Sequence, residues 1–173
     1  KFTIVWIGSI FNFQYLDIIK PAIESFLSKH SDSRFIVISS EPPPNFKFDN
    51  LRIIFKYWSD MQENEHINEF SIGLMPLADN EFTKGKCSYK MLQYMACGVS
   101  PIVSPVGMNN KILSQNLIGL SANSSEEWVS AFTKLKNDRD FYNSCAVNSR
   151  TLVEENYSLK KYVPIVSELL KKH

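Results

Sequence analysis

The feature of the sequence that most constrains the fold is a regular alternation of short apolar runs with segments of helical periodicity. The runs Phe2–Gly8 and Arg34–Ser40 are continuous and rich in β-branched residues, which is typical of strands buried on both faces. Residues 15–30 place apolar side chains at helical spacing, and Pro21 is expected to kink that helix or mark its first turns. Because strands and helices alternate over the first 125 residues, the sequence predicts an α/β fold with a doubly wound, mostly parallel sheet.

The same patterns predict further elements along the chain. Strands are predicted at 51–58, 72–77, 99–107 and 117–123, and helices at 60–70, 110–116, 125–138, 140–157 and 159–172. The Pro-rich segment 41–45 is predicted to be a loop. Since neither a repeat nor a linker interrupts the pattern, residues 1–173 are expected to form a single Rossmann-like domain with extra C-terminal helices.

Composition excludes several broad classes. With 44% hydrophobic residues, 21% charged residues and a net charge of +1, the chain is typical of a globular domain and not of a general nucleic-acid binder. Three cysteines without a close pair favour neither a disulfide framework nor a zinc ribbon, so we expect a reducing, cytoplasmic setting. No run approaches the roughly 18 apolar residues of a membrane span. Because the chain starts at Lys1 in a strand-like run, we expect it to be part of a longer protein.

A basic cluster is the most distinctive local feature. Ligands of open α/β sheets bind beyond the carboxyl ends of the strands, which indicates the loops 8–14, 77–88 and 104–110. Within the second loop, Lys84 and Lys86 flank Gly85 just before a short helix capped by Ser88 and ended by Gly98. Lysines beside a helix N-terminus indicate an anion site, most often for phosphate. An ordinary solvated loop is the alternative.

Other phosphate motifs are not present in the required form. The chain lacks the Walker spacing, and its first strand is followed only by Gly8, not by a G-x-G-x-x-G fingerprint. Cys87 has no evident histidine partner, because His30 and His66 lie on predicted surface helices, so a small packing residue is the favoured interpretation. The acids of the second loop, Asp79 and Glu81, are as compatible with loop solubility as with glycoside hydrolysis.

Several segments of the sequence resemble a known family. Residues 72–113, IGLMPLADNEFTKGKCSYKMLQYMACGVSPIVSPVGMNNKIL, look like the donor-binding core of family-four retaining glycosyltransferases with the GT-B fold. Residues 5–26 resemble the first strand, glycine loop and helix of the same C-terminal domain. Residues 124–141 and 154–162 resemble its closing helices. KGKCSYKMLQYMACG and SPVGMN are the most specific parts.

The resemblance implies a division of labour between two domains. This chain would hold a nucleoside-diphosphate sugar, and a missing N-terminal domain would hold a glycan or glycolipid acceptor during polysaccharide biosynthesis. The sugar would be transferred with retention and without a metal or cofactor, and the fragment alone is expected to be inactive. Lys86 and Lys84 would stabilise the departing diphosphate. The parent could associate peripherally with a membrane.

Donor contacts follow from the matching positions. The predicted substrate-binding residues are Gly8, Ser9, Gly85, Cys87, Ser88, Tyr89, Lys90, Gln93, Gly107 and Asn109. Gly85 and Gln93 stand where many relatives have two glutamates, and the loop at Ser9 lacks the cations that relatives often place there. We therefore expect Lys84 and Lys86 to balance the donor charge. Lys90 is a further candidate for this role, and the alternative is that it points along the helix toward solvent.

Purely structural roles remain open for several of these residues. Gly8 and Ser9 would also suit a tight turn, and Gly107 would suit a turn before a helix capped by Asn109 or Asn110. Phe82 and Tyr89 could stack on a base or belong to the core. At the level of the whole protein, the alternatives are a non-catalytic interaction module and a sugar-nucleotide epimerase.

Overall fold

The computed structural model describes residues 1–49, 51–59, 67 and 69–171. Its strands are β1 (Phe2–Ile7), β2 (Ser33–Ser39), β3 (Ile53–Tyr57), β4 (Ile72–Met75), β5 (Ser100–Val103) and β6 (Leu120–Ser121). Its α-helices are α1 (Phe13–Lys29), α2 (Glu81–Lys84), α3 (Tyr89–Ala96), α4 (Met108–Leu113), α5 (Ser125–Asn137), α6 (Arg139–Asn156) and α7 (Leu159–Leu170), and a 3-10 turn, η1, spans Ile10–Asn12. The helix predicted at 60–70 lies largely outside the described residues, as do His66 and His173.

The strands form one six-stranded sheet in the order β3-β2-β1-β4-β5-β6, and every pairing among the described strands is parallel. The chain winds outward from β1 to β3, returns to the middle at β4 and then winds outward in the other direction. The strand order therefore reverses between β1 and β4. This confirms the predicted doubly wound α/β fold.

Helices cover both faces of the sheet. Successive residues of a strand therefore alternate between two buried cores. Ile4 and Trp6 of β1 join the buried cluster that α1 and α5 contribute to, whereas Val5 and Ile7 join the cluster on the other face with Tyr94 of α3. On that second face α3 packs against α6. The continuous apolar run that predicted β1 thus reflects burial on both sides.

Some elements differ from the sequence prediction. Helix α1 begins at Phe13 and continues through Pro21, so this proline does not mark its first turns. Helix α7 forms where it was expected, but it has no buried residue. In the described part of the chain, no helix combines the length and the apolar character needed to cross a membrane.

Tyr94 connects β1 and β4 near their carboxyl ends, since its ring lies against Gly73 of β4 and its hydroxyl reaches Ile7 of β1. Pairing of β1 with β2 continues to Ile7, but its pairing with β4 ends at Val5. The Ile7 N–H, which faces β4, donates instead to the Tyr94 hydroxyl at 3.0 Å, and this contact is buried. The hydroxyl satisfies a backbone group that would otherwise be left without a partner. The two central strands can therefore diverge, which opens a crevice where the strand order reverses.

Candidate functional site

A cavity of about 250 Å³ lies between the diverging ends of β1 and β4. Its walls come from the end of β1 and the following loop, from the segment after β4, and from two lysines. The lining residues are Trp6, Ile7, Gly8, Ser9, Asn12, Tyr15, Leu74, Met75, Pro76, Leu77, Lys86 and Lys90. The cavity occupies the position at which open α/β sheets bind ligands, as the sequence predicted.

A second cavity of about 410 Å³ adjoins the first and shares Ile7, Gly8, Ser9 and Lys90 with it. Its remaining lining residues are Ser40 after β2, Trp58 after β3, and Tyr89 at the start of α3. We refer to the two cavities together as the crevice. Its size lies in the range of about 300–1,000 Å³ that is usual for small-molecule sites.

Lys86 places its charge beside the loop that follows β1. Its Nζ donates to Asn12 Oδ1 of η1 at 3.2 Å and lies 5.5 Å from the Tyr15 ring and 5.0 Å from the Phe82 ring. Among the described residues, no carboxylate lies within ion-pair distance of this ammonium. The chain has no cation of its own in the first loop, and Lys86 supplies one there from the opposite side of the crevice.

Lys84 has a different environment. Its ammonium lies 3.6 Å from Asp79 Oδ1 and 2.9 Å from Glu81 Oε1, and it does not line either cavity. The hydrogen bond to Glu81 and the charge of Asp79 raise the pKa of Lys84. The two acids predicted as candidates for loop solubility thus serve as partners of this lysine. The structure separates two lysines that the sequence placed together.

Lys90, for which both a role in balancing the donor charge and an orientation toward solvent were left open, lines both cavities. Its Nζ donates to Gln93 Oε1 at 2.9 Å. Gln93 lies one turn further along α3 and does not line the crevice. Gln93 therefore reaches the site through Lys90.

Ser88 is the N-cap residue of α3, as predicted, but its side chain makes no capping hydrogen bond. Its backbone has φ +60°, and it is the one non-glycine residue with positive φ in the described ranges. The buried hydroxyl donates to Asn109 Oδ1 at 2.6 Å, and Asn109 Nδ2 donates to the Ser104 carbonyl at 3.1 Å. Both side chains are buried, so this pair joins the second and third loops beneath the crevice and does not line it.

The two loop glycines have structural reasons to be glycine. Gly107 has φ +54°, and a Cβ there would lie 2.5 Å from the Lys84 carbonyl oxygen. It is the N-cap of α4, so the alternative in which Asn109 or Asn110 caps that helix is wrong. Gly8 lines the crevice, and a Cβ there would lie 2.4 Å from the Trp6 ring. Gly85 ends α2 in an ordinary helical conformation.

Three side chains predicted near the helix start are exposed. Cys87 is solvent-exposed and is therefore not the packing residue that was favoured from sequence. Phe82 and Tyr89 are 73% and 62% exposed, so their assignment to the core is also wrong. Tyr89 lines the larger cavity, and Phe82 covers the Lys86 ammonium.

Sequence reasoning missed several residues of the site, among them Asn12, Tyr15 and Trp58, which line the crevice. It also missed Tyr94, which lies outside the crevice but holds the end of β1. Asn12 and Tyr15 lie in the first of the three loops that topology indicated, or just after it, and Trp58 ends a predicted strand. Once a doubly wound strand order is assumed, the positions of Asn12, Tyr15 and Trp58 after strands are the signal that could have marked them as candidate site residues. No sequence signal distinguishes Tyr94 from the other apolar residues of α3, because its role depends on the divergence of two distant strands.

Among the described residues that line the crevice there is no Asp, Glu, His or Cys. Over the described ranges, no group of three His, Cys, Asp or Glu residues is placed to hold a metal ion. The crevice combines apolar walls, backbone of the first loop and two lysine ammonium groups. This set of groups suits an anionic ligand with an apolar or aromatic portion.

A parallel, doubly wound sheet with a cationic crevice at the reversal of strand order defines a Rossmann-like binding domain. The family model described as Glycosyl transferases group 1 matches residues 1–138. The chain belongs to this family. The resemblance noted from the K-G-K-C segment and its surroundings is thereby confirmed.

Solved structures share the fold. The C-terminal domain of a group 1 glycosyl transferase, LpcC from Francisella tularensis, superposes with a TM-score of 0.74 at 20% identity, over 92% of this chain and 87% of that one. HepE from Anabaena, solved with UDP-glucose, gives 0.75 at 10% identity, over 100% of this chain and 49% of that one. Sucrose-phosphate synthase from Thermosynechococcus elongatus gives 0.73 at 13% identity, over 99% and 45%. No curated protein matches the sequence significantly.

The matched lengths differ between these structures. The chain corresponds to most of the LpcC C-terminal domain, but it spans about half the length of HepE and of sucrose-phosphate synthase. At these sequence identities the similarity to the solved structures shows a shared fold and nothing more.

Proposed function

We propose that this chain is the donor-binding domain of a glycosyltransferase and that its crevice holds a nucleoside-diphosphate sugar. The observation that supports this most directly is the Lys86 ammonium, which lines the cavity at the reversal of strand order and has no carboxylate partner among the described residues. Family membership and the UDP-glucose complex named for HepE support the ligand class.

The division of the crevice suits the parts of such a donor. The smaller cavity, with Lys86, Lys90 and the Ser9 backbone, would take the diphosphate, because ammonium and backbone N–H groups bind phosphate oxygens. The Gly8 N–H is already donated to the Ile38 carbonyl at 3.2 Å. The larger cavity, between Trp58 and Tyr89, would take a flat base, because every base presents a face for aromatic stacking. Helix α3 starts between the two and would direct its positive end toward the diphosphate.

The chemical role of the domain follows from charge. During transfer the bond between the anomeric carbon and the diphosphate breaks, and negative charge develops on the leaving phosphate oxygen. A fixed ammonium beside that oxygen stabilises the transition state more than the ground state. Lys86 would perform this role directly, and Lys84, predicted to share it, would act only after exchanging its two carboxylate partners for phosphate.

The remaining features of the reaction are part of the proposal. We infer that the sugar is transferred with retention to a glycan or glycolipid that a second, N-terminal domain binds, that neither metal nor cofactor is required, and that the protein works in the cytoplasm. Without the second domain, the chain should bind the donor but not transfer the sugar efficiently.

Calorimetric titration of the chain with UDP and with GDP tests donor binding. We expect binding of at least one nucleotide, with Lys86→Met weakening it about tenfold, the effect of losing one charge-assisted hydrogen bond. Lys84→Met is the matched control, since it removes a neighbouring lysine that is already neutralised, and its affinity should remain within about threefold of the original. Absence of binding of either nucleotide at about 1 mM, with the fold intact by circular dichroism, would contradict the proposal.

A further inference from the structure

The ammonium of Lys86 is held at one point by three separate elements. Asn12 of η1 accepts its hydrogen bond at 3.2 Å, while Tyr15 of α1 and Phe82 of α2 place their rings 5.5 and 5.0 Å away. A free lysine side chain has several rotatable bonds and would lose this freedom on binding an anion. The three contacts remove much of that cost before a ligand arrives.

All three contacts are made by uncharged groups. An amide oxygen and two aromatic faces stabilise a cation without cancelling its charge. Lys84, two residues earlier, instead faces two carboxylates. The charge that reaches the crevice from this loop is therefore that of Lys86, and it depends on position 12 being neutral.

The orientation of the Asn12 amide is set by a second hydrogen bond. Asn12 Nδ2 donates to Ser9 Oγ at 3.2 Å, which directs Oδ1 toward Lys86. Ser9, Asn12 and Lys86 all line the smaller cavity, so the chain of contacts runs along its wall from the loop after β1 to the loop before α3.

Asn12 is also the N-cap residue of α1, but its side chain makes no capping hydrogen bond. Asparagine at an N-cap normally satisfies one of the first N–H groups of the helix. Here the amide is used for Ser9 and Lys86 instead. This departure separates the contribution of Asn12 to the site from any contribution to the helix.

From this geometry we propose that Asn12 is a positioning residue, which fixes the Lys86 ammonium at the loop after β1 as an unneutralised charge for the diphosphate of the ligand. The proposal rests on the proposed function, since it assigns how that site recognises its anion. In this arrangement the first loop contributes an uncharged hydrogen-bond acceptor, Asn12 Oδ1, and this acceptor holds a cation that belongs to another part of the chain.

Asn12→Asp is the sharpest test, because the replacement keeps the size and the acceptor but adds a negative charge. At the start of α1 that charge should leave the thermal midpoint unchanged or raise it. Beside Lys86 it should neutralise the ammonium and repel phosphate. We expect the affinity for UDP and for inorganic pyrophosphate to fall at least about tenfold, with a weaker dependence on salt concentration than in the original chain.

Asn156→Asp is the matched control, since Asn156 Oδ1 accepts from Lys161 Nζ at 2.8 Å at an exposed site that does not line the crevice. Its affinity for both probes should be unchanged. Asn12→Ala, which removes the acceptor without adding charge, should weaken binding about threefold and covers the case in which the aspartate variant does not fold.

The outcomes separate the two proposals. If the original chain binds UDP and Lys86→Met weakens it, but both Asn12 variants bind within about twofold of the original, then Asn12 does not position the lysine and only this inference is wrong. If the original chain binds neither UDP nor pyrophosphate, the proposed function fails, and the inference that rests on it fails with it. If the Asn12 variants lose affinity and also have a clearly lower thermal midpoint than the original chain, the role of Asn12 is merely structural.

Discussion

At the scale of single residues, the surroundings of a side chain decide what its chemistry can do. Lys84 and Lys86 have the same side chain and lie two residues apart, at the end of α2 and just after it. One is paired with Asp79 and Glu81, and the other is held by neutral groups in the crevice. The sequence predicted an anion site at the lysines of this segment. It could not show which lysine faces the cavity, because the answer depends on where η1 and α2 meet.

Two glycines of the loops should respond differently to alanine. Gly107→Ala should destabilise the chain by about 2–4 kcal/mol, since it adds left-handed strain and a contact with the Lys84 carbonyl. Gly85→Ala, at a helical φ of −78° and with room for a Cβ, should be neutral or stabilise by up to about 1 kcal/mol. Urea unfolding of both variants measures the difference, and equal effects would contradict the assigned geometry.

The Tyr94 hydroxyl should contribute measurably to stability although it lies outside the crevice. Tyr94→Phe keeps the ring but leaves the buried Ile7 N–H without its partner, which should cost about 1–3 kcal/mol. The denaturant midpoint should fall without a change in the slope of the transition. Tyr157→Phe is a useful control, because that hydroxyl accepts from Gln115 at an exposed site and its loss should be nearly neutral.

At the scale of elements, burial distinguishes the helices. Helices α1, α3, α5 and α6 each bury a row of apolar side chains against the sheet or each other, whereas α7 has the same helical periodicity and buries none of them. The period of the sequence was sufficient to locate these helices to within a few residues. It could not tell a helix on the core from one whose apolar face is exposed, because the pattern is the same in both.

Valines in the two settings should respond differently to truncation. Val103 of β5 is 0% exposed and Val166 of α7 is 50% exposed. Val103→Ala should cost about 1–3 kcal/mol of unfolding free energy, because it removes buried methyl groups and leaves a cavity. Val166→Ala should change it by less than about 0.5 kcal/mol. A large effect at Val166 in chemical denaturation would mean that α7 packs on the domain in solution.

At the scale of the whole molecule, one topological fact organises the rest. The alternation of strands and helices was enough to predict the fold class and, through the rule for open sheets, that the loops 8–14 and 77–88 contribute to the crevice. The third predicted loop, 104–110, contributes no described lining residue. The strand order itself and the divergence of β1 from β4 required the structure. Distances across the crevice, such as the contact between Asn12 and Lys86, depend on packing between segments far apart in sequence.

Stability should fall in acid because hydrogen bonds to carboxylates lower several pKa values in the folded chain. The Asp49 carboxylate accepts from the N–H groups of Arg52, Ile53 and Leu51, which lowers its pKa, and the hydrogen bond from Lys136 lowers that of Asp32. The affected groups are Asp32, Asp49, Glu126 and Asp138.

In the unfolded chain these groups take up protons first as the pH falls. Their contribution is therefore present above about pH 4 and is lost as the pH decreases through the lower folded-state pKa values. We expect the urea midpoint to decrease from neutral pH to about pH 3. Asp49→Asn should lower the midpoint at neutral pH and make the decrease smaller. A midpoint independent of pH would contradict this account.

The hydrogen bond between Ile7 and Tyr94 has a consequence for observing the protein in motion. The Ile7 amide proton lies at the junction of the two sheet halves and is shielded from solvent by a side chain instead of a neighbouring strand. Its exchange with deuterium therefore requires Tyr94 to withdraw, whereas exchange of the β1 amides that are bonded to β2 requires that strand pair to open. The exchange rate of this one amide, measured by nuclear magnetic resonance, thus reports local opening where β1 and β4 meet.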